Sequence, residues 1–237
     1  MHLILIPGLW LDGPSWNDVV PPLERAGHTV VPLTLPGMTA RDADRSSIPF
    51  AELRDAVVEQ IDAAAEPVIL VGHSLGCGVA WAAVDARPDR VARAILIGGF
   101  PAVDGEALAP GFTVKDGEVP FPDWSEFDDA DLLELDDTAR AAFRERAIPS
   151  PQRMVTDVVE LGDDRRYDVP VTAVATEYRA DQLREWIAQG EAPVQEFTRL
   201  RDLEFVDLPT GHWPQFSRPV ELAELILAQP PLSGSAR

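Results

Sequence analysis

Short, nearly unbroken apolar runs alternate along the chain with longer stretches in which apolar residues return every three or four positions. Runs of the first kind suit strands buried on both faces of a parallel sheet, and the second kind suit the helices that cover it. The predicted strands are 2–7 (HLILIP), 28–35 (HTVVPLTL), 67–71, 91–97, 169–175 and 203–208. The predicted helices are 15–26, 49–65, 75–86, 181–189 and 220–227, the second carrying Leu53, Val57 and Ile61 in one stripe at four-residue intervals. Pro32 has no N–H to give to a ladder, so its strand belongs at an edge of the sheet or ends there.

One stretch breaks the alternation. Between 99 and 168 no convincing strand is visible, and Pro, Asp and Glu are frequent. A bare loop of that length does not fit a compact domain. The pattern therefore predicts a core of 1–98 and 169–229, a helical cap inserted at 99–168, and a loose tail over 230–237 rich in Pro, Gly and Ser. Short cap helices are expected around 129–134 and 138–146. The acidic run Asp128-Asp129-Ala130-Asp131 lacks the spaced ligands and turn glycine of a calcium loop and reads as a solvated helix start. The expected fold class is thus α/β, a mostly parallel sheet of about six strands flanked by helices.

Composition narrows the function. With 46% hydrophobic and 25% charged residues the chain is that of a globular protein, and it contains no apolar run long enough to span a membrane. The start, Met1-His2 followed directly by Leu3-Ile4-Leu5-Ile6, lacks the basic and cleavage regions of a secretory signal, so a cytoplasmic protein without membrane attachment is expected. Forty acidic against twenty basic residues give a net charge of −20, which repels a phosphate backbone and argues against nucleic-acid partners. A single cysteine, Cys77, excludes an internal disulfide, and the four histidines show no metal-ligand spacing, so neither a metal nor another cofactor is expected. The partner in view is a small molecule; oligomeric state is left open.

The sharpest local signal is Gly72-His73-Ser74-Leu75-Gly76, a G-x-S-x-G that directly follows a buried strand and directly precedes a helix. Such a turn lifts a serine hydroxyl above the sheet in strained backbone geometry, and its small flanking residues let neighbouring backbones approach. The following helix brings free N–H groups and a positive dipole end beneath a developing oxyanion. Ser74 needs a base to take its proton. His73 is unsuited, because its side chain turns away from its neighbour's. His212, in the Thr210-Gly211-His212-Trp213-Pro214 loop after the last strand, emerges at the same carboxyl edge of the sheet, where ligands of such sheets bind. The oxyanion hole is assigned to the backbone N–H groups of Leu75 and of Leu9, in the Pro7-Gly8-Leu9-Trp10 loop.

The strand-PG-x-W opening, the GHSLG elbow and the terminal Gly-His loop resemble the α/β-hydrolase superfamily over nearly the whole chain outside the cap. The PGLWLDGPSW opening and small cap resemble most its esterase and hydroxynitrile-lyase branch, which usually has His-Gly where this chain has Pro7-Gly8. The resemblance implies a triad ordered Ser, acid, His, with the acid after the strand before last. Here that region reads Ala175-Thr176-Glu177-Tyr178-Arg179-Ala180-Asp181, and the usual aspartate position falls on Arg179. Glu177 is the first candidate; Asp181 and Asp104 are alternatives. Trp10 and Trp213, and secondarily Trp124 and Phe100, are expected in the pocket, favouring an apolar or aromatic substrate. The expected activity is hydrolysis of a small carboxylic ester or thioester through an acyl-enzyme. Two other readings stay open: a lyase using the same residues, which in such relatives needs a pocket lysine where this chain offers only Lys115, and a non-catalytic receptor on the same scaffold.

Overall fold

In the computed structural model of the chain, residues 1–229 are described; the predicted tail lies outside them. The elements run β1 (His2–Ile6), α1 (Val20–Arg25), β2 (Thr29–Pro32), α2 (Phe50–Ala63), β3 (Val68–His73), α3 (Gly76–Ala86) and β4 (Val91–Ile97). After them come β5 (Glu118–Val119), α4 (Asp137–Arg146), β6 (Ser150–Pro151) and α5 (Arg153–Thr156). The chain then continues with β7 (Val171–Ala175), α6 (Ala180–Gln189), β8 (Leu203–Asp207), α7 (Pro214–Ser217) and α8 (Pro219–Leu227).

Six strands form one all-parallel sheet in the order β2-β1-β3-β4-β7-β8. The continuous apolar runs are explained by burial on both faces. Leu3, Leu5, Ile69, Val71, Ile95 and Ile97 pack with Trp16, with Leu23 of α1 and with Leu222 and Ile226 of α8. The intervening Ile4, Ile6, Val68, Leu70, Ala94 and Leu96 pack with α2 and α3 on the other side. Strand periodicity of two is what sorts a uniform run into these two layers. Leu53, Val57 and Ile61, the predicted stripe, are fully buried. β2 is one of the two edge strands, with Pro32 its last residue.

The chain leaves β1 for β2 on one side and returns across it to β3 on the other. Loops after β1 and β3 therefore part to opposite faces, opening a crevice at the carboxyl edge of the sheet. Both Leu9 and Ser74 stand at this switch point.

Two expected helices differ. The 15–26 helix is a 3-10 turn at Gly13–Trp16 followed by the short α1, because Pro21 and Pro22 lack the N–H groups that would continue a helix through them. Around 129–134 the chain makes turns instead of a helix. The predicted 138–146 helix is α4, capped by the Asp136 carboxylate on the Ala139 N–H. The 99–168 stretch also contains the two-residue antiparallel pair β5–β6, which no run of alternating residues announces. Buried Arg45 ties this stretch to the 37–45 loop: it pairs with Glu118 and donates to the carbonyls of Gly37, Ala40 and Arg41. No helix among the described residues is long and apolar enough to cross a membrane.

Candidate active site

β3 delivers Ser74 into a left-handed backbone conformation, φ 53°, strained for a residue with a side chain. Its N–H donates to the Ile97 carbonyl at 2.9 Å, and its own carbonyl accepts from Cys77 at 2.9 Å, so the strain is held from both sides. A side chain at Gly76 would fall 2.6 Å from the carbonyl oxygens of Ile6 and Pro7, which explains why the elbow needs glycine there.

His212 reaches the elbow from the loop after β8. Its Nδ1–H donates to Glu177 Oε1 at 2.8 Å, leaving Nε2 to accept from Ser74 Oγ at 2.9 Å. Glu177 follows β7 directly, and its second oxygen accepts from the Thr176 hydroxyl. Burial pushes the Glu177 carboxyl up, but the hydrogen bond and charge of His212, with the Thr176 hydroxyl, outweigh it and hold the group at about 2. Burial pushes the His212 imidazole down; Glu177, and beyond it the Asp131 charge, turn this into a net rise. The remaining candidate acids lie elsewhere. Asp181 pairs with Arg184 at 2.7 Å on the surface, and Asp104 accepts from the Leu161 N–H at 2.8 Å.

The two neighbouring histidines are opposites. His73 is wholly buried; its Nε2–H donates to the His212 carbonyl at 2.6 Å, and Nδ1 lies 3.2 Å from the Gln215 amide nitrogen. Burial, reinforced by repulsion from His212, lowers it to about 3, so it is a neutral strut beneath the loop that carries His212.

The N–H groups of Leu9 and Leu75 have no acceptor among the described residues, and both residues line the cleft above Ser74. That cleft has a volume of about 1580 Å³. Trp10 and Phe100 are on its wall, with Phe112, Phe127, Tyr178 and Trp186. Trp213 and Trp124 are not on that wall. Trp213 is instead locked in an aromatic cluster, its ring 5.1 Å from Phe143, 5.3 Å from Phe127 and 5.9 Å from Trp124, and edge-on to His212 at 5.0 Å. The expectation of substrate contact for Trp213 is corrected accordingly: the side chain after His212 points into packing, where it supports the imidazole from behind. Cys77 is buried, and burial raises its thiol far above the usual range, consistent with a packing residue. Lys115 is exposed and lies off the cleft wall.

Three groups at the site are not foreseen from the sequence. Asp131 accepts the His212 backbone N–H on its carbonyl at 2.8 Å, and its carboxylate stands close to the ring of His212 and to Glu177, the three ligand-type atoms lying within 4.8 Å of one another. Burial raises the Asp131 carboxyl, against the attraction of His212. A cation held by these three residues would compete for the nitrogen and oxygen that already join His212 to Glu177. Glu134, at φ 65°, accepts from the Thr210 hydroxyl at 2.9 Å and pairs with Arg218. Asp131 and Leu133 crowd Gly211, where a side chain would meet their carbonyls at 2.4 and 2.5 Å. The third is Ser150, whose Oγ accepts the Trp10 N–H at 2.8 Å. Only the proximity created by folding marks these residues; an acidic run and a lone serine carry no spacing signal.

A model of the alpha/beta hydrolase family matches residues 3–225. Salicylic acid-binding protein 2 of Nicotiana tabacum is 33% identical over 107 residues, which are 42% of this chain and 39% of that protein, so the matched stretch spans well under half of the relative. Methylesterase 7 of Arabidopsis thaliana is 23% identical over 257 aligned positions, covering 94% of each chain. An extracellular alpha/beta-hydrolase from a Paenibacillus species, reported to share structural and functional homology with the tobacco protein, superposes with a TM-score of 0.76 at 20% identity, over 96% of this chain and 98% of its own.

Proposed function

The chain belongs to the alpha/beta hydrolase family, and from that premise we propose that it is a serine hydrolase of carboxylic esters or thioesters, with Ser74, His212 and Glu177 as its triad. The observation that carries this reading is the unbroken chain of hydrogen bonds from Ser74 through His212 to Glu177, at 2.9 and 2.8 Å. Relatives named as a methylesterase and an esterase support it.

Ser74 Oγ attacks the acyl carbon while its proton passes to His212 Nε2. Glu177 keeps Nδ1–H in place and stabilises the imidazolium; it does not take the proton itself. The oxyanion accepts from the Leu9 and Leu75 N–H groups, each such bond contributing roughly 3 kcal/mol to the transition state. Collapse of the tetrahedral intermediate expels the alcohol or thiol, which takes the proton from His212, and leaves acyl-Ser74. Water, deprotonated by His212, then cleaves the acyl-enzyme, so that ester plus water becomes acid plus alcohol and Ser74 regains its proton. No cofactor enters any step.

Residues 99–168 act as a cap over this chemistry. With Trp10, Phe112 and Phe127 on one wall and Phe100, Tyr178 and Trp186 on another, the cleft suits apolar or aromatic groups. A lyase that needs a pocket lysine is disfavoured by the exposed position of Lys115.

The test is turnover of p-nitrophenyl esters of increasing acyl length. Hydrolysis is expected, with a drop of about 10⁴-fold or more in Ser74→Ala. Equal turnover by wild type and Ser74→Ala, or no labelling of Ser74 by a fluorophosphonate, would refute the acyl-enzyme.

A further inference from the structure

Among the described residues, six carboxylates, Glu106, Glu126, Asp128, Asp131, Glu177 and Glu191, line the cleft, and no lysine or arginine does. Glu177 is bound to His212, and Glu126 caps the Asp123 N–H. The side chains of Glu106, Asp128 and Glu191 are exposed and have no hydrogen-bond or ion-pair partner among the described residues, so their charge is not cancelled locally. Asp131 brings another negative group to within 4.8 Å of His212 and Glu177, at the reacting end.

Three nearby arginines are committed elsewhere, and Lys115 is exposed and off the wall. Arg144 pairs with Asp123, donates to the Pro122 carbonyl and lies over the rings of Phe121 and Trp124. Arg184 is held by Asp181, Arg218 by Glu134. Arg179 borders a separate, smaller cleft with Asp207 and Thr210. Hydrogen-bond donors on the main cleft wall are neutral, such as Gln182 and Thr113. A cleft with low-dielectric aromatic walls and charge of a single sign focuses its field on whatever enters, and here a net charge of −20 on the chain adds to it.

Resting on the ester-hydrolase reading of this site, we infer that the cleft selects its substrate by charge: it accepts esters whose apolar portion is neutral or cationic and rejects esters carrying an anionic group. The same field acts on the outcome of the reaction. Hydrolysis turns a neutral ester into a carboxylate, which the surrounding carboxylates expel, so the acid product is a weak inhibitor.

Three p-nitrophenyl esters with acyl chains of equal length, ending in tert-butyl, trimethylammonium or carboxylate, separate charge from shape. For the wild-type chain at low salt, kcat/KM for the carboxylate-ended ester is expected to fall about tenfold or more below that of the tert-butyl ester. The trimethylammonium ester should match or exceed the latter. Added sodium chloride should narrow the gap. The triple variant Glu106→Gln, Asp128→Asn, Glu191→Gln should narrow it too, with the ratio of the two rates, not either rate alone, as the readout. Equal kcat/KM for the neutral and anionic esters, or a gap indifferent to both salt and the triple variant, overturns the charge inference while leaving the esterase intact. If none of the three esters is hydrolysed, the esterase reading and this inference fall together.

Discussion

The carboxyl edge of the sheet and the 99–168 stretch, the proposed cover, contribute to the candidate site in different ways. At the sheet edge the functional groups are fixed by backbone: Ser74 by a strained turn between β3 and α3, Glu177 by the end of β7, His212 by a loop resting on buried His73. In the 99–168 stretch, regular structure is short and the contribution comes from single side chains and carbonyls, Asp131 and Glu134 against the His212 loop and Ser150 against Trp10. The contrast teaches a division of labour. In the proposed reaction the bond-making groups sit where parallel strands end together, and the 99–168 stretch sets the charge and shape around them.

The largest effect that sharpens this contrast is expected on the sheet side. Glu177→Gln leaves a group of similar size, but one that can donate to Nδ1 and so hold the imidazole in the wrong tautomer. A loss of about 10³- to 10⁴-fold in kcat is expected in steady-state ester hydrolysis. The same variant should lower the pKa read from the acid limb of the kcat/KM profile, because the negative charge that raises His212 is gone. Near-normal activity would remove Glu177 from the triad.

Next comes Ser150→Ala, on the side of the cover. It leaves the buried Trp10 N–H without its acceptor, and a cost of about 1–3 kcal/mol in urea unfolding is expected. A loss of activity well below that of Glu177→Gln should accompany it. Activity falling as far as in Glu177→Gln would break the division, since the cover would then control the chemistry itself.

The smallest effect is expected for Asp131→Asn. Removing its charge lets the His212 pKa fall, so the neutral base persists to lower pH and the acid limb of kcat/KM moves downward, with kcat at neutral pH changed only a few-fold. A limb that stays in place would show that Asp131 acts on His212 through its carbonyl alone, and one that moves upward would contradict the charge effect.

Linkage to stability follows from the same groups, with opposite signs. The folded-state pKa of Glu177, about 2, lies below its ordinary value, so its contribution is present above the ordinary carboxylate range and is lost as pH falls through the folded value. His212 is raised, so its contribution is full below its ordinary value and disappears as pH rises through the folded one.

The division also marks what the sequence discloses. Strands β1, β3 and β4, the stripe of α2 and the elbow were legible because local pattern and global packing agree there: uniform apolar runs for a doubly covered sheet, glycine where backbones touch. That Glu177 and His212 meet followed from strand ends, although Glu177 stands two residues before the position the resemblance implies for an acid. The cover resisted reading because its order comes from long-range contacts. Nothing in Asp128-Asp129-Ala130-Asp131 tells a solvated helix start from a turn whose third aspartate packs beside a histidine more than eighty residues away. Trp213 is a related case: its ring stands edge-on to His212 and packs among Phe143, Phe127 and Trp124, contacts that no local spacing announces.

Trp10 gives the cover one further meaning. Its N–H is held by Ser150, its carbonyl accepts from Ile148 at 3.0 Å, and its indole N–H donates to the Val119 carbonyl at 3.2 Å, so each of its polar groups ends on the inserted stretch. Leu9, one residue earlier, has its side chain buried in the core, and its backbone is joined directly to this anchored neighbour. For anyone wishing to transplant a cap from another family member to change selectivity, the inserted stretch is therefore not an interchangeable part. A graft must bring its own counterparts of Val119, Ile148 and Ser150, or the chimera will keep the Ser74 turn and lose the register of the loop that carries Leu9 and Trp10.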